Sequence, residues 1–184
     1  MTQGIVIVTS GVTSEFYPDC LVSAVNDKYP LLVHYNEPAN NEFEMGGIKT
    51  GMRAFDEFLL LHDTSRLLKA RELYDIVFEQ FKGKSVSFGK NFFMYLGKYR
   101  TEVLRKMEIP DVKNKDEAIY HEWNFAGHYI NADGDVKELW QDFKDNRENY
   151  KQHHGRWNLI IQNPYIIKYK ANGPGITDGV LNRS

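Results

Sequence analysis

The sequence predicts an α/β fold: one domain built on a mostly parallel sheet flanked by helices. Three observations carry that prediction. Two short runs of large apolar residues, Gly-Ile-Val-Ile-Val from Gly4 and Phe-Leu-Leu-Leu from Phe58, do not alternate with polar residues, the pattern of strands covered on both faces. Between and after them, apolar residues recur three and four apart, which marks helices. Both apolar runs end abruptly in small or polar side chains, Thr9-Ser10-Gly11 and His62-Asp63-Thr64. Ligands of open α/β sheets bind just beyond the carboxyl ends of such strands.

The 184 residues suffice for one substantial core and are short for two, so residues 1–171 are expected to form a single domain. The stretch from Asn172, with Gly173, Pro174, Gly175 and Gly179, lacks periodicity and reads as a flexible tail. A composition of 42% hydrophobic and 26% charged residues excludes a disordered chain, and 14% aromatic residues promise large buried side chains or stacking surfaces. A net charge of -2 creates no field that would gather polyanions, so nucleic acid is not an expected partner. The single cysteine, Cys20, cannot form an internal disulfide and fits a reducing compartment. No basic region precedes Ile5 to Val8 and no run approaches the roughly 20 apolar residues of a membrane span, so the expectation is a cytoplasmic protein.

Taken in order, Gly4 to Ser10 is the first strand. Ser14 caps a helix carrying Phe16, Cys20, Leu21 and Ala24 that stops near Asn26. Pro30 introduces a second strand, Leu31 to Tyr35, closed by Asn36-Glu37-Pro38. A right-handed crossover would set Thr9, Ser10, Asn36 and Glu37 along one edge of the sheet. Gly46 and Gly47 open a helix with Ile48, Met52 and Phe55, where free amides near Lys49 form a competent anion site; close helix packing is the other reason for a glycine pair. After the Phe58 strand, Ala70, Leu73, Tyr74, Val77, Phe78 and Phe81 describe a helix over 67–81 ending at Gly83. Ser85 to Phe88 is a short strand, and Phe92 to Leu96 is a strand or the start of a helix with Tyr99, Val103 and Met107. Lys115 to Tyr129 forms the next helix. Asp135 caps another, with Val136, Leu139, Trp140 and Phe143, running to about Tyr150. Leu159 to Gln162 is strand-like.

Several motifs fail on spacing. There is no G-x-G-x-x-G, and Gly83-Lys84-Ser85 lacks the leading glycine of a P-loop because position 78 is Phe. His121-Glu122 lacks the second histidine of a zinc-protease helix because position 125 is Phe. Asn131 to Asp135 lacks the closing glutamate of a calcium loop. No two histidines share a recognised ligand spacing, which speaks against a histidine-based metallohydrolase.

Thr9 and Ser10 after the first strand, Asn36 and Glu37 after the second, the Asn41 to Gly51 segment and Glu57-Phe-Leu-Leu-Leu-His-Asp-Thr64 together resemble a GT-A-type glycosyltransferase. The likeness is to the family-two group and its short bacterial and phage-like relatives, and it covers about the first 70 residues. The resemblance implies a Rossmann-like sheet and transfer of a hexosyl-type sugar from a nucleoside-diphosphate sugar to a glycan or other small acceptor. It also implies a divalent cation, Mn²⁺ or Mg²⁺, held on the donor diphosphate by a D-x-D element at the end of the equivalent strand. Here that triplet is His62-Asp63-Thr64, so Asp63 is the implied ligand, and a C-terminal histidine, His154 or His153, the implied second one. If the metal is absent, Lys49, helix amides and Arg156 would neutralise the leaving group.

The implied donor site comprises Thr9, Ser10, Asn36, Glu37, Asn41, Gly47, Lys49 and Arg156. Breaking the bond to the diphosphate builds negative charge on the leaving phosphate, which a cation and positioned amides stabilise. An inverting reaction also needs a carboxylate to take the acceptor's proton. Glu122, Glu117 and Asp116 are the candidates, with Glu122 favoured because His121, Trp123 and Asn124 offer stacking and hydrogen-bonding neighbours. The alternative is a degenerate domain that binds a nucleotide or glycan without transfer.

Overall fold

The structure is a computed structural model that describes residues 1–9, 16–36, 42–88, 96–133, 135–139, 152–153, 157–162 and 164–171. A six-stranded sheet forms its centre, in the order β2-β1-β3-β6-β5-β7. Strand β1 (Gln3–Thr9) lies between β2 (Leu31–Tyr35) and β3 (Glu57–His62), parallel to both. Strand β6 (Leu96–Arg100) runs antiparallel to β3 and to β5 (Ser85–Ser87), and β7 (Val136–Glu138) is parallel to β5. The expected α/β class, with a mostly parallel sheet flanked by helices, is what forms.

The non-alternating apolar strands have the cause inferred from sequence. Successive side chains of a strand point to opposite faces, so Ile5, Ile7, Leu59 and Leu61 enter one core with Cys20, Ala24, Leu73, Tyr74, Val77 and Phe78. Val6, Val8, Phe58 and Leu60 enter the other with Met45, Ile48, Val103, Phe125 and Tyr129. The first layer comprises α1 (Tyr17–Ala24), α3 (Ala70–Tyr74) and a π-helical turn, Asp75–Gln80; the second comprises α2 (Phe43–Ala54), α4 (Thr101–Leu104) and α5 (Lys115–Asp133). Helix α1 ends where Asn26 Oδ1 accepts the amides of Lys28 (2.9 Å) and Tyr29 (2.6 Å), the turn expected there. Among the described residues no helix is long and apolar enough to cross a membrane.

Helix α2 begins at Phe43, one turn earlier than its glycines suggest. The Gly46 amide donates to Glu42 O, and Gly47 lies one residue deeper, so neither opens the helix. Both are buried, and a Cβ on Gly47 would collide with Val8 of β1. The glycines bring α2 onto the sheet rather than presenting amides to an anion.

Other departures come from pairings remote in sequence. Residues 65–67 are strand β4 (Ser65–Leu67) because they pair antiparallel with β10 (Ile166–Ala171) in a second sheet, ordered β4-β10-β9-β8. The helix expected over 67–81 therefore starts at Ala70. Strands β8 (Gln152–His153) and β9 (Trp157–Gln162) complete that sheet. Tyr99 lies on β6, and Val136, expected on a helix, lies on β7 because β5 offers it an open parallel edge. Asp135, expected to cap a helix, pairs with Lys137 (2.6 Å) and Lys84 (3.6 Å) beside that strand. Trp140, Phe143 and the tail from Asn172 lie outside the described residues.

At the amino ends of β1 and β3 a buried ion pair borders the first core. Lys98 Nζ is 2.9 Å from Glu57 Oε2, with the two side chains 0% and 1% exposed. The same ammonium donates to Phe81 O (2.8 Å) and Val77 O (3.2 Å), satisfying carbonyls at the end of the π-helical turn. Glu57 accepts from the Gly83 amide (2.7 Å) and from Gln3 Nε2 (2.8 Å). Breaking one half of such a pair strands a buried charge.

Lys98→Met is expected to lower unfolding free energy by about 3–5 kcal/mol in chemical denaturation. Gly47→Ala is expected to cost about 1–3 kcal/mol through overpacking against Val8, which the same measurement reads.

Candidate functional site

The carboxyl ends of β1, β2 and β3 meet. Parallel pairing sets Val8 opposite His62 and Thr9 opposite Tyr35, and the chain continues from each tip under backbone restraint. The Asn36 amide donates to Thr9 O (2.8 Å) and the Asp63 amide to Val8 O (3.0 Å). Thr9 Oγ1 then donates to Asp63 Oδ2 at 2.8 Å, joining the first and third tips. Thr9 and Asp63 are therefore in contact, and both are buried, Asp63 to 3% exposure.

Four further groups, His62, Thr64, Glu44 and Lys168, are linked to Asp63 directly or through one another. His62 Nδ1 lies 2.9 Å from Asp63 Oδ1 and 3.1 Å from Thr64 Oγ1, and its Nε2 lies 3.3 Å from Glu44 Oε1 on the first turn of α2. Lys168, carried by β10, donates from Nζ to Thr64 Oγ1 at 2.9 Å. Antiparallel pairing of Ser65 with Lys168 delivers that lysine from 104 residues away in sequence. The His62 side chain is 31% exposed, whereas Asp63, Thr64 and Lys168 lie beneath the surface.

The charges hold one another. Burial pushes the Asp63 carboxyl up, but the charge and hydrogen bond of His62, the Thr9 hydroxyl and Lys168 outweigh it and hold it at about 2. Burial pulls His62 down, yet Asp63 and Glu44 raise it to about 9, so it is an imidazolium at neutral pH. Lys168 is lowered to about 8, with burial prevailing over the attraction of Asp63, Glu44 and Glu122. Burial likewise raises Cys20 to about 12, an unreactive buried thiol.

Glu122 is half-buried on the inward stripe of α5 that includes Ala118, Phe125 and Tyr129, and its charge acts on Lys168. The other two carboxylates do not share that position. Glu117 accepts from the Lys113 amide (2.9 Å) and Asn114 Nδ2 (3.0 Å), while its own amide donates to Asn114 Oδ1 (2.9 Å): a capping arrangement at the start of α5. Asp116 is exposed.

The remaining predicted donor residues divide. Asn36 is half-buried at the β2 tip. Nearby, Tyr17 Oη and the exposed Tyr35 Oη share a 2.7 Å hydrogen bond, and burial with that bond pushes Tyr17 up to about 12. Lys49 is not a spare cation: Glu42 (2.8 Å) and Asp111 (2.5 Å) already meet its charge. Gly47 is packing, as described. Ser10, Glu37, Asn41, His154 and Arg156 lie outside the described residues, as does the His153 side chain.

A divalent cation does not fit the described donor set. Both Asp63 oxygens are engaged, by Thr9 and His62, and the position preceding Asp63 carries a positive charge in place of a second carboxylate. Among the described residues no three His, Cys, Asp or Glu side chains form a group that could hold a metal. Hard cations take several oxygens, and placing one beside an imidazolium and an ammonium is electrostatically opposed.

Lys168 and Glu44 were missed from sequence. The signal for Lys168 was present in Ile166-Ile167-Lys168: alternation puts Ile166 and Lys168 on one face, and a lysine on a buried strand face is rare without a partner. Glu44 had no comparable signal.

No family model and no curated protein matches the chain. Among solved structures it is similar to the crystal structure of A197 from STIV, with a TM-score of 0.44 and 14% identity over 95% of this chain and 96% of that one. A likeness of that degree carries no inference about function.

His62 is expected to keep its proton through pH 7.5 in a histidine NMR titration; release near the ordinary 6.5 would contradict the ion pairs described. Because its pKa is raised on folding, its stabilising contribution is full below about pH 6.5 and fades as pH rises through about 9. The destabilisation caused by His62→Gln, read as a difference in Tm, should be largest near pH 6 and vanish above about pH 9.

Proposed function

We propose that the chain is a GT-A-type glycosyltransferase that moves a sugar from a nucleoside-diphosphate sugar to a glycan or other small acceptor. The observation that supports it most is the Thr9–Asp63 hydrogen bond at the carboxyl edge of the parallel strands, with His62 against Asp63, Lys168 on Thr64, and the charge of Glu122 acting on Lys168. Two cations among three acids, Asp63, Glu44 and Glu122, offer charge and proton-accepting groups for a reaction in which a phosphate leaves and a hydroxyl attacks.

In this reading the acceptor oxygen bonds to the anomeric carbon as the bond from that carbon to the diphosphate oxygen breaks. The bonding pair leaves on the diphosphate. For an inverting reaction Glu122 takes the acceptor's proton, and its half-buried position on α5 favours it over the capping Glu117 and the exposed Asp116. Asp63 orients His62 through their 2.9 Å contact, and Tyr17 and Tyr35 border the edge where a base or sugar ring would stack. A cytoplasmic setting is part of the proposal, supported by a single buried thiol.

One observation favours a second reading, a binding domain without transfer. Asp63 is 3% exposed and its two oxygens are already partnered, as in a cluster that serves structure first.

Release of nucleoside diphosphate from UDP-, GDP- and ADP-hexoses over several hours separates the two. Transfer predicts release above the protein-free rate, and Glu122→Gln should slow it by about 10²–10⁴-fold with binding retained. Donor binding without any release would leave only the binding domain.

A further inference from the structure

We propose that Lys168 takes the place of a divalent cation at this edge, supplying the positive charge for the donor diphosphate so that nucleoside diphosphates bind without metal. This rests on the donor reading above and adds the source of the charge.

The geometry carries it in three steps. The triplet at the end of β3 is His-Asp-Thr, so the first position contributes a ring nitrogen 2.9 Å from Asp63 where a metal site would contribute a carboxylate. Asp63 is consequently turned inward, holding His62 with one oxygen and Thr9 with the other. The third residue, Thr64, holds an ammonium: Lys168 Nζ lies 2.9 Å from its hydroxyl. All three residues of the triplet therefore serve nitrogen cations or each other.

The placement of Lys168 suits a fixed charge better than a surface lysine would. It is 4% exposed, its strand is pinned by the Tyr169 amide donating to Thr64 O (3.0 Å), and the Thr64 hydroxyl it holds also lies 3.1 Å from Nδ1 of the 31% exposed His62. A buried charge held in this way is weakly screened and already oriented. The charges of Asp63, Glu44 and Glu122 act on it and favour its protonated form. Lys49, the cation expected from sequence, is committed to Glu42 and Asp111.

The test is thermal melting of the wild type and of Lys168→Met and Lys168→Arg with UDP, GDP and ADP, each in EDTA and in Mn²⁺. The proposal expects at least one nucleotide, at ten times its Kd, to raise the wild-type Tm by roughly 3–5 °C equally in both conditions. Lys168→Arg should keep most of that shift and Lys168→Met should lose it. A wild-type shift that needs Mn²⁺ overturns the metal-free role while the donor reading stands. So does a folded Lys168→Met variant that responds like wild type in EDTA. If Lys168→Met does not fold, the wild-type comparison of EDTA with Mn²⁺ decides. No shift with any nucleotide in either condition removes the donor reading, and this inference with it.

Discussion

The register between β1 and β3 is the constraint on which the rest depends. Val8 faces His62 across a parallel ladder that runs back to Gln3 and Glu57, and Ile5 to Val8 and Phe58 to Leu61 are buried on both faces. A slip of one residue would exchange the two faces, driving each set of side chains into a core shaped for the other. It would also separate Thr9 from Asp63 at one end and Gln3 from Glu57 at the other. The two polar clusters of the central strands are thus fixed by the apolar packing between them.

Those clusters are built alike and serve differently. At the amino end, Lys98 and Glu57 are sealed, with hydrogen bonds to backbone and to Gln3 and the Lys98 ammonium over the Phe78 ring, and they tie a π-helical turn and Gly83 to the sheet. At the carboxyl end, Asp63, His62, Glu44 and Lys168 include a partly open histidine and a nearby carboxylate on α5. Burial of paired charge gives little net stability, so a second cluster of this kind is better understood through what it does than through what it holds together. The sealed pair has structural partners to account for it. The partly open one stands where parallel sheets bind ligands.

The second sheet is what turns a strand end into a cluster of charged groups. Without β10, the triplet His62-Asp63-Thr64 would end β3 as an ordinary capping turn. Pairing of Ile166 to Lys168 with Leu67 to Ser65 lays a lysine over it, and packing of α2 adds Glu44 from the other side. Four segments far apart in sequence therefore contribute to one group of charges.

The sequence by itself determined the central strands and the covering helices, because side-chain alternation and helical spacing are local and leave their period in the chain. It determined the position of Asp63 for the same reason: an apolar run that stops at a carboxylate marks a strand tip. Only the tertiary structure decided that the carboxylate faces an imidazolium and an ammonium, that Glu117 caps a helix while Glu122 turns inward, and that Gly47 serves packing. It alone also made strands of 65–67 and 136–138. Those outcomes depend on pairings across tens of residues, as between Ser65 and Lys168 or Ser85 and Val136, and on the electrostatic balance such pairings create. No local period encodes which distant segment will arrive.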